Sequence, residues 1–205
     1  MIAKPFPMRQ WRLLPVGLLA LLLVACAAPR VRPDAALLAA QQQREQQLTA
    51  MSDWSLKGRL ALSGPEDSGS GSLDWQQKGV EFRFTMHAPV TGKTWTLSGN
   101  DHGAELTGLQ PGPVAARDAS SLLERELGWN VPVTELAHWV RGLRAAGPAE
   151  IVFRADGLPA EFRQAGWLVE FKEYDEAREP ALPRRIFASN GEYKVRLAIQ
   201  RWDLP

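Results

Sequence analysis

From Trp54 to Ile199, apolar residues recur at every second position in one short segment after another. That two-residue period restricts the fold more than any other feature, because only an extended strand sends alternate side chains to opposite faces. In residues 54–62 (WSLKGRLAL), Trp54, Leu56, Leu60 and Leu62 share one parity and Ser55, Lys57 and Arg59 the other. Gly58 falls on the apolar side, where a missing side chain leaves room for a bulky neighbour or a bend. The pattern returns with Leu73 and Trp75, with Phe82, Phe84 and Met86, with Trp95 and Leu97, and with Ala104 and Leu106. Five strands in meander order, each apolar on one face and polar on the other, predict an antiparallel sheet wetted on one side. Residues 64–71, made of Gly, Ser, Pro, Glu and Asp, read as a flexible hairpin loop.

The middle of the chain changes period. Asp118 is placed to cap a helix carrying Leu122, Leu123 and Leu127, and Gly128 to end it. Val133, Leu136, Trp139, Val140 and Leu143 then form a second amphipathic stripe, opened by Pro132 and stopped by Gly147 and Pro148. Strands resume through Ile151 and Phe153, Phe162, then Trp167, Val169 and Phe171, residues 186–188, and finally Tyr193, Val195, Leu197 and Ile199. Trp202 is out of step with the last set, which predicts a bulge or an outward turn. Upstream, residues 34–51 predict a helix capped by Asp34; its thin apolar stripe (Leu37, Leu38, Leu48, Met51) suits a position against the outside of the domain.

About ten short strands in hairpin order are expected to curl into an open, incomplete antiparallel β-barrel, mainly β with α, and the two inserted helices are placed to plug or lid its concave face. Seven of the eight Trp lie beyond residue 25. Rings of that bulk fill a barrel of this size as a packed core, or they wall an apolar cavity beneath a mobile lid; parity alone leaves both open.

The N-terminus fixes the compartment. Lys4, Arg9 and Arg12 precede an apolar run, residues 13–25, too short to span a bilayer, which is the form of an export signal. Its last four residues, Leu23, Val24, Ala25 and Cys26, resemble the lipobox of bacterial lipoproteins. That resemblance implies lipidation of Cys26, cleavage before it, and permanent attachment through several acyl chains. Cys26 is the only cysteine in the chain, so it has no disulfide partner in an oxidising compartment. Ala27, in place of the Asp that favours inner-membrane retention, implies the periplasmic face of the outer membrane. The expected organisation is a signal peptide over 1–25, a lipid-anchored tether over 26–33 and one domain over 34–205. Removing residues 1–25 takes three of the 24 basic residues and none of the 23 acidic ones, leaving a net charge of −2. This balance gives no electrostatic footprint for nucleic acid or an anionic membrane surface.

No catalytic residue and no metal ligand set is expected. His87, His102 and His138 stand in separate elements without a second ligand at helical or hairpin spacing. Glu124 and Glu126 diverge on their helix. Ser63, Ser68 and Ser70 lack the strand-to-helix elbow of an esterase nucleophile, and the SGSG run at 68–71 lacks the Lys and helix start of a phosphate cradle. No cofactor is implied.

Seven stretches in order resemble the LolB family, the outer-membrane receptors that accept lipoproteins from the periplasmic carrier LolA: LKGRLAL (56–62), LDWQQ (73–77), APVTG (88–92), LGWNVPVTELAHWVRG (127–142), GWLVEF (166–171), LPRRI (182–186) and VRLAIQRW (195–202). The resemblance implies a curved open sheet holding an apolar cavity under helices, a LolA-like periplasmic carrier, acylated lipoprotein cargo and outer-membrane lipid as partners, and a monomer. It also implies that Val90, at the tip of the turn where family members commonly carry Leu, assists delivery into the membrane. Candidates for the acyl cavity or its packing are Trp75, Phe82, Phe84, Trp95, Leu97, Trp139, Phe153, Trp167, Val169, Phe171, Leu197 and Ile199. A lipid- or lipopolysaccharide-binding module on the same architecture, and a purely structural lipoprotein with a filled barrel, are the rival readings; a hydrolase is a more distant one.

Overall fold

The computed structural model describes residues 30–65, 67–88 and 92–204. In chain order the elements are β1 (Arg30–Val31), α1 (Ala35–Ala50), β2 (Asp53–Ser63), β3 (Ser68–Lys78), β4 (Glu81–Ala88), β5 (Lys93–Asn100), β6 (Gly103–Thr107), β7 (Val114–Ala116), α2 (Ala119–Leu127), α3 (Val133–Trp139), β8 (Ala149–Arg154), β9 (Pro159–Gln164), β10 (Trp167–Asp175), β11 (Leu182–Ser189) and β12 (Lys194–Asp203). The strands form one antiparallel sheet in the order β1-β8-β9-β10-β11-β12-β2-β3-β4-β5-β6-β7. Two meanders are thus joined where β12 pairs with β2, and the end strands β1 and β7 do not pair with each other. The barrel is open, and α2 and α3 lie over its apolar face.

The alternation is realised residue by residue. Trp54, Leu56, Gly58, Leu60 and Leu62 face inward and are flanked by register partners of the same facing: Leu56 pairs with Trp75 on β3 and with Trp202 on β12, and Trp75 pairs with Phe84 on β4. Gly58 is needed where the Ala198 carbonyl and Ile199 of β12 pass close against it, beside a register shift between Ile199 and Arg201. That shift is the bulge expected from Trp202. It turns the indole inward, 4% exposed, with Nε1 donating to the Pro183 carbonyl at 2.9 Å.

Three expectations are corrected. The hairpin loop is only residues 64–67, because Ser68, Gly69, Ser70 and Gly71 pair with residues 60–63 of β2 as ladder. These small residues carry no alternation to read, and they are small because Trp129 packs on Gly69 and the His87 carbonyl runs past Gly71. Among the described residues twelve strands replace the expected ten or so; β1 and β7, of two and three residues, are too short to show a period. The second helix stops at Trp139, and the apolar residues Val140 and Leu143 that continue its stripe are buried in the turns beyond it, where Gly142 adopts φ 71°.

The helix caps follow the chemistry of their residues. Asp34 accepts from the Leu37 amide at 2.8 Å, Asp118 from the Ser121 amide at 2.8 Å, and Gly128 closes α2 with φ 67°. Helix α1 does lie on the outside, but the side it buries is mixed: Gln41 and Arg44 are inward together with Leu48, while Leu38 is exposed.

Candidate functional site

A row of rings crosses the concave face. Trp202, Trp54, Trp75, Phe84, Trp95 and Trp129 follow one another at centroid separations of 5.7, 5.3, 5.4, 5.7 and 6.0 Å, running from β12 across β2, β3, β4 and β5 to the segment between α2 and α3. Offset and edge-on stacking of this kind adds to the burial of each ring. Near its middle the row borders a closed void of about 20 Å³. The floor is Leu60, Leu62, Trp75, Phe84, Trp95 and Leu97 of the sheet, and the roof is Leu123 of α2, Val131, and Val133 and Leu136 of α3. Every residue around it is apolar. A void of this size holds about one water molecule by the usual measure, so a fatty chain enters only if the roof lifts.

The structure brings four of the twelve apolar candidates, Trp75, Phe84, Trp95 and Leu97, to the void wall. Phe82 is half-buried further along β4, beside Gly99. Trp139 packs on Trp167 at 6.2 Å, and Phe171 lies edge-on to Phe162 at 4.9 Å. With Phe153, Val169, Leu197 and Ile199 they are buried in the common core and do not border the void. Cys26 and Val90 lie outside the described residues. The wall residues the sequence reading passed over are Leu60 and Leu62, whose strand parity was legible, Leu123, Val133 and Leu136, read only as lid stripe, and Val131, which no periodicity marks.

The two ends of the roof are held differently. At the far end of α3, Gln164 works as a clamp: its Oε1 accepts from Trp139 Nε1 at 3.0 Å and from the Ala145 amide at 2.9 Å, while its Nε2 donates to the Ala145 carbonyl at 2.8 Å. Arg44 of α1 donates to the carbonyls of Gly142, Arg141 and Ala181 at 2.9, 3.1 and 2.6 Å. Arg141 donates in turn to the Leu48 carbonyl at 2.9 Å and lies over the Trp54 ring at 5.4 Å. Burial pushes both guanidinium groups down, Arg141 to about 10, which leaves Arg141 charged at neutral pH. Arg144 and Glu45 close the set with two 2.8 Å bonds.

Among the described residues the other end has no buried pin to the sheet; its one strand contact, from Arg125 to the Ala115 carbonyl at 3.5 Å, is exposed. Helix α2 and residues 128–136 meet the sheet through Leu122, Leu123, Trp129, Val131, Val133 and Leu136, all buried. Their polar contacts run within the roof, as from the Val133 amide to Ser120 Oγ at 3.1 Å, or are exposed, as between Gln110 and Glu126 at 3.2 Å. What presses the roof onto the floor is hydrophobic contact, which an entering hydrocarbon replaces in kind.

An unclosed antiparallel half-barrel with a helical roof over an apolar floor is the class of protein these features define. The model of the family described as outer membrane lipoprotein LolB matches residues 52–202. Curated relatives named outer-membrane lipoprotein LolB include one from Xanthomonas campestris pv. campestris (strain B100), 42% identical over 80% of this chain and 78% of that one. Another, from Alkalilimnicola ehrlichii, is 38% identical over 96% of this chain and 99% of that one. Among solved structures, one described as a LolA superfamily protein from Nitrosomonas europaea covers 82% of this chain and 93% of that chain at 8% identity, with a TM-score of 0.49. The chain belongs to the LolB family, the outer-membrane lipoprotein receptors of the lipoprotein localisation system.

Proposed function

We propose that the protein, tethered through an acylated Cys26, takes lipoproteins from a LolA-like periplasmic carrier by receiving their acyl chains between the β2–β5 floor and the α2–α3 roof, and then passes them to the outer membrane. The observation that carries this reading is the unequal hold on the roof, with polar pins at the far end of α3 and only apolar contact over the void. Lifting the free end exposes surface that the cargo covers again, so entry exchanges one apolar contact for another.

A triacylated cargo carries on the order of 40 CH₂ groups at roughly 0.8 kcal/mol each. Its chains therefore cannot cross water unsheltered, and must move from one apolar site to the next. No nucleotide or catalytic step is needed if this site binds the chains more tightly than the carrier does and the bilayer more tightly still; the affinity ladder sets the direction. Val90, which falls in the sequence between β4 and β5, is the residue we assign to delivery into the bilayer.

The chain from residue 27 onward keeps every described element. Mixed with a carrier loaded with acylated lipoprotein, it is expected to take over the cargo, and failure to do so refutes the reading. Val90→Glu is expected to leave this acceptance intact and to impair insertion into liposomes; equal loss of both steps would make the turn structural only.

A further inference from the structure

The apolar row contains an inconsistency with simple core packing. Trp54, Trp75 and Trp129 are 4%, 1% and 6% exposed, yet the indole Nε1 of each has no hydrogen-bond partner among the described residues. Two of the other buried indoles are satisfied: Trp139 donates to Gln164 and Trp202 to Pro183. A buried donor without an acceptor is destabilising, and native cores hold few of them. Phe or Leu would fill the same space without that penalty. Arg44, Arg154 and Arg178 also carry an unpartnered buried Nε elsewhere, but the three indoles are gathered in one row. Trp75 is in the floor of the void, Trp54 is 5.3 Å from it ring to ring, and Trp129 is in the roof against Trp95.

We infer that the indole N–H groups of Trp75 and Trp129 are donors for the carbonyl oxygens of an acyl ligand, one from the floor and one from the roof. The inference rests on the acceptor reading above and deepens it. A purely hydrocarbon pocket grips a chain by burial alone and gives no preference for where along its length it is held. The fatty chains of an acylated lipoprotein carry carbonyls at one place only, where they join the glyceryl-cysteine head through esters and an amide. Each carbonyl is an acceptor that loses its water on entry and needs a donor in the protein. Unpaired indoles supply such donors while presenting an apolar ring to the chain beyond. They set the depth of the cargo, with tails under the roof and head toward its free edge, and they distinguish acyl from plain alkyl chains.

The test compares two probes on the chain from residue 27 onward: a diacylglyceryl-cysteine peptide with two palmitoyl esters, and the matching peptide with two hexadecyl ethers, which lacks the ester carbonyls and keeps the hydrocarbon. The unaltered protein is expected to bind the ester probe about five- to tenfold more tightly, the discrimination of one or two net hydrogen bonds. In Trp75→Phe and Trp129→Phe that ratio is expected to fall toward one, whatever the change in absolute affinity for either probe. As a control on shape, 3-benzothienylalanine at position 75, whose ring carries sulfur in place of N–H, is expected to lose the ratio while keeping the fold. Equal affinity of the unaltered protein for the two probes overturns the inference, as does a ratio that survives both Phe variants and the sulfur analogue. Failure of both probes to bind the unaltered protein overturns the acceptor reading itself, which separates the two failures.

Discussion

Leu136→Ala separates a roof that opens from a core that merely packs. Leu136 is 5% exposed and lines the void from α3. The substitution removes three carbons, about 2.4 kcal/mol at roughly 0.8 kcal/mol per buried CH₂. A cavity term adds to this, and comparable Leu-to-Ala changes cost roughly 2.7–5.0 kcal/mol. Because a void of about 20 Å³ already adjoins the side chain, it has fewer packing contacts to lose, which sets the expectation in the lower part of that range, at about 3 kcal/mol. Urea unfolding of the chain from residue 27 onward, at unchanged slope, reads the loss as a lower midpoint. Lifting the roof breaks the same contacts, so the variant's opening is easier by Leu136's share, and its rate of cargo acceptance is expected to equal or exceed that of the unaltered protein. A stability loss under about 1 kcal/mol would refute the packing argument; acceptance that falls in step with stability would refute the opening roof.

The remaining predictions concern the pinned end and the caps. Arg44→Met strips donors from the carbonyls of Arg141, Gly142 and Ala181 and should cost about 3 kcal/mol in urea unfolding, with faster amide exchange at Gly142 and Leu143; Arg44→Lys, lacking the planar fork, recovers only part of it. Burial pushes the Glu45 carboxyl up, but the hydrogen bonds from the Arg144 side chain, Gln41 and the Arg144 amide outweigh it and hold the group below its usual value. The stability Glu45 contributes is therefore full above the unfolded value of about 4.3 and is lost as pH falls through the lower folded one. A urea-midpoint titration should show this acid limb flattened in Glu45→Gln. Asp118→Ala, which removes the cap on the Ser121 amide, is expected to cost about 1 kcal/mol and to fray the first turn of α2, seen as faster exchange at that amide.

Much of the architecture was legible because it is written in local periods and caps. A strand with one face buried must alternate, so residues 54–62, 82–86 and 193–199 declared both their conformation and their inward faces, and a Trp out of step marked its own bulge. Asp34, Asp118 and Gly128 declared helix ends because the groups they satisfy or the φ they adopt lie within a few residues. The half of β3 built from Ser and Gly stayed hidden: its smallness answers to Trp129 and the His87 backbone, and nothing in its own neighbourhood says so.

By itself the amino-acid order determined an antiparallel sheet with an apolar inner face, two helices inserted between its meanders, and a likeness to one family. Only the tertiary structure decided which of twelve apolar candidates wall the void, that α1 buries Gln41 and Arg44, that Gln164 and Arg44 pin one end of the roof, and that three indoles find no acceptor among the described residues. The division has a physical cause. Periodicity reports which face of an element is dry, whereas a void, a clamp or an orphaned donor is a property of side chains tens of residues apart, such as Trp139 with Gln164 or Arg44 with Gly142, and comes into being only when the sheet has curled around them.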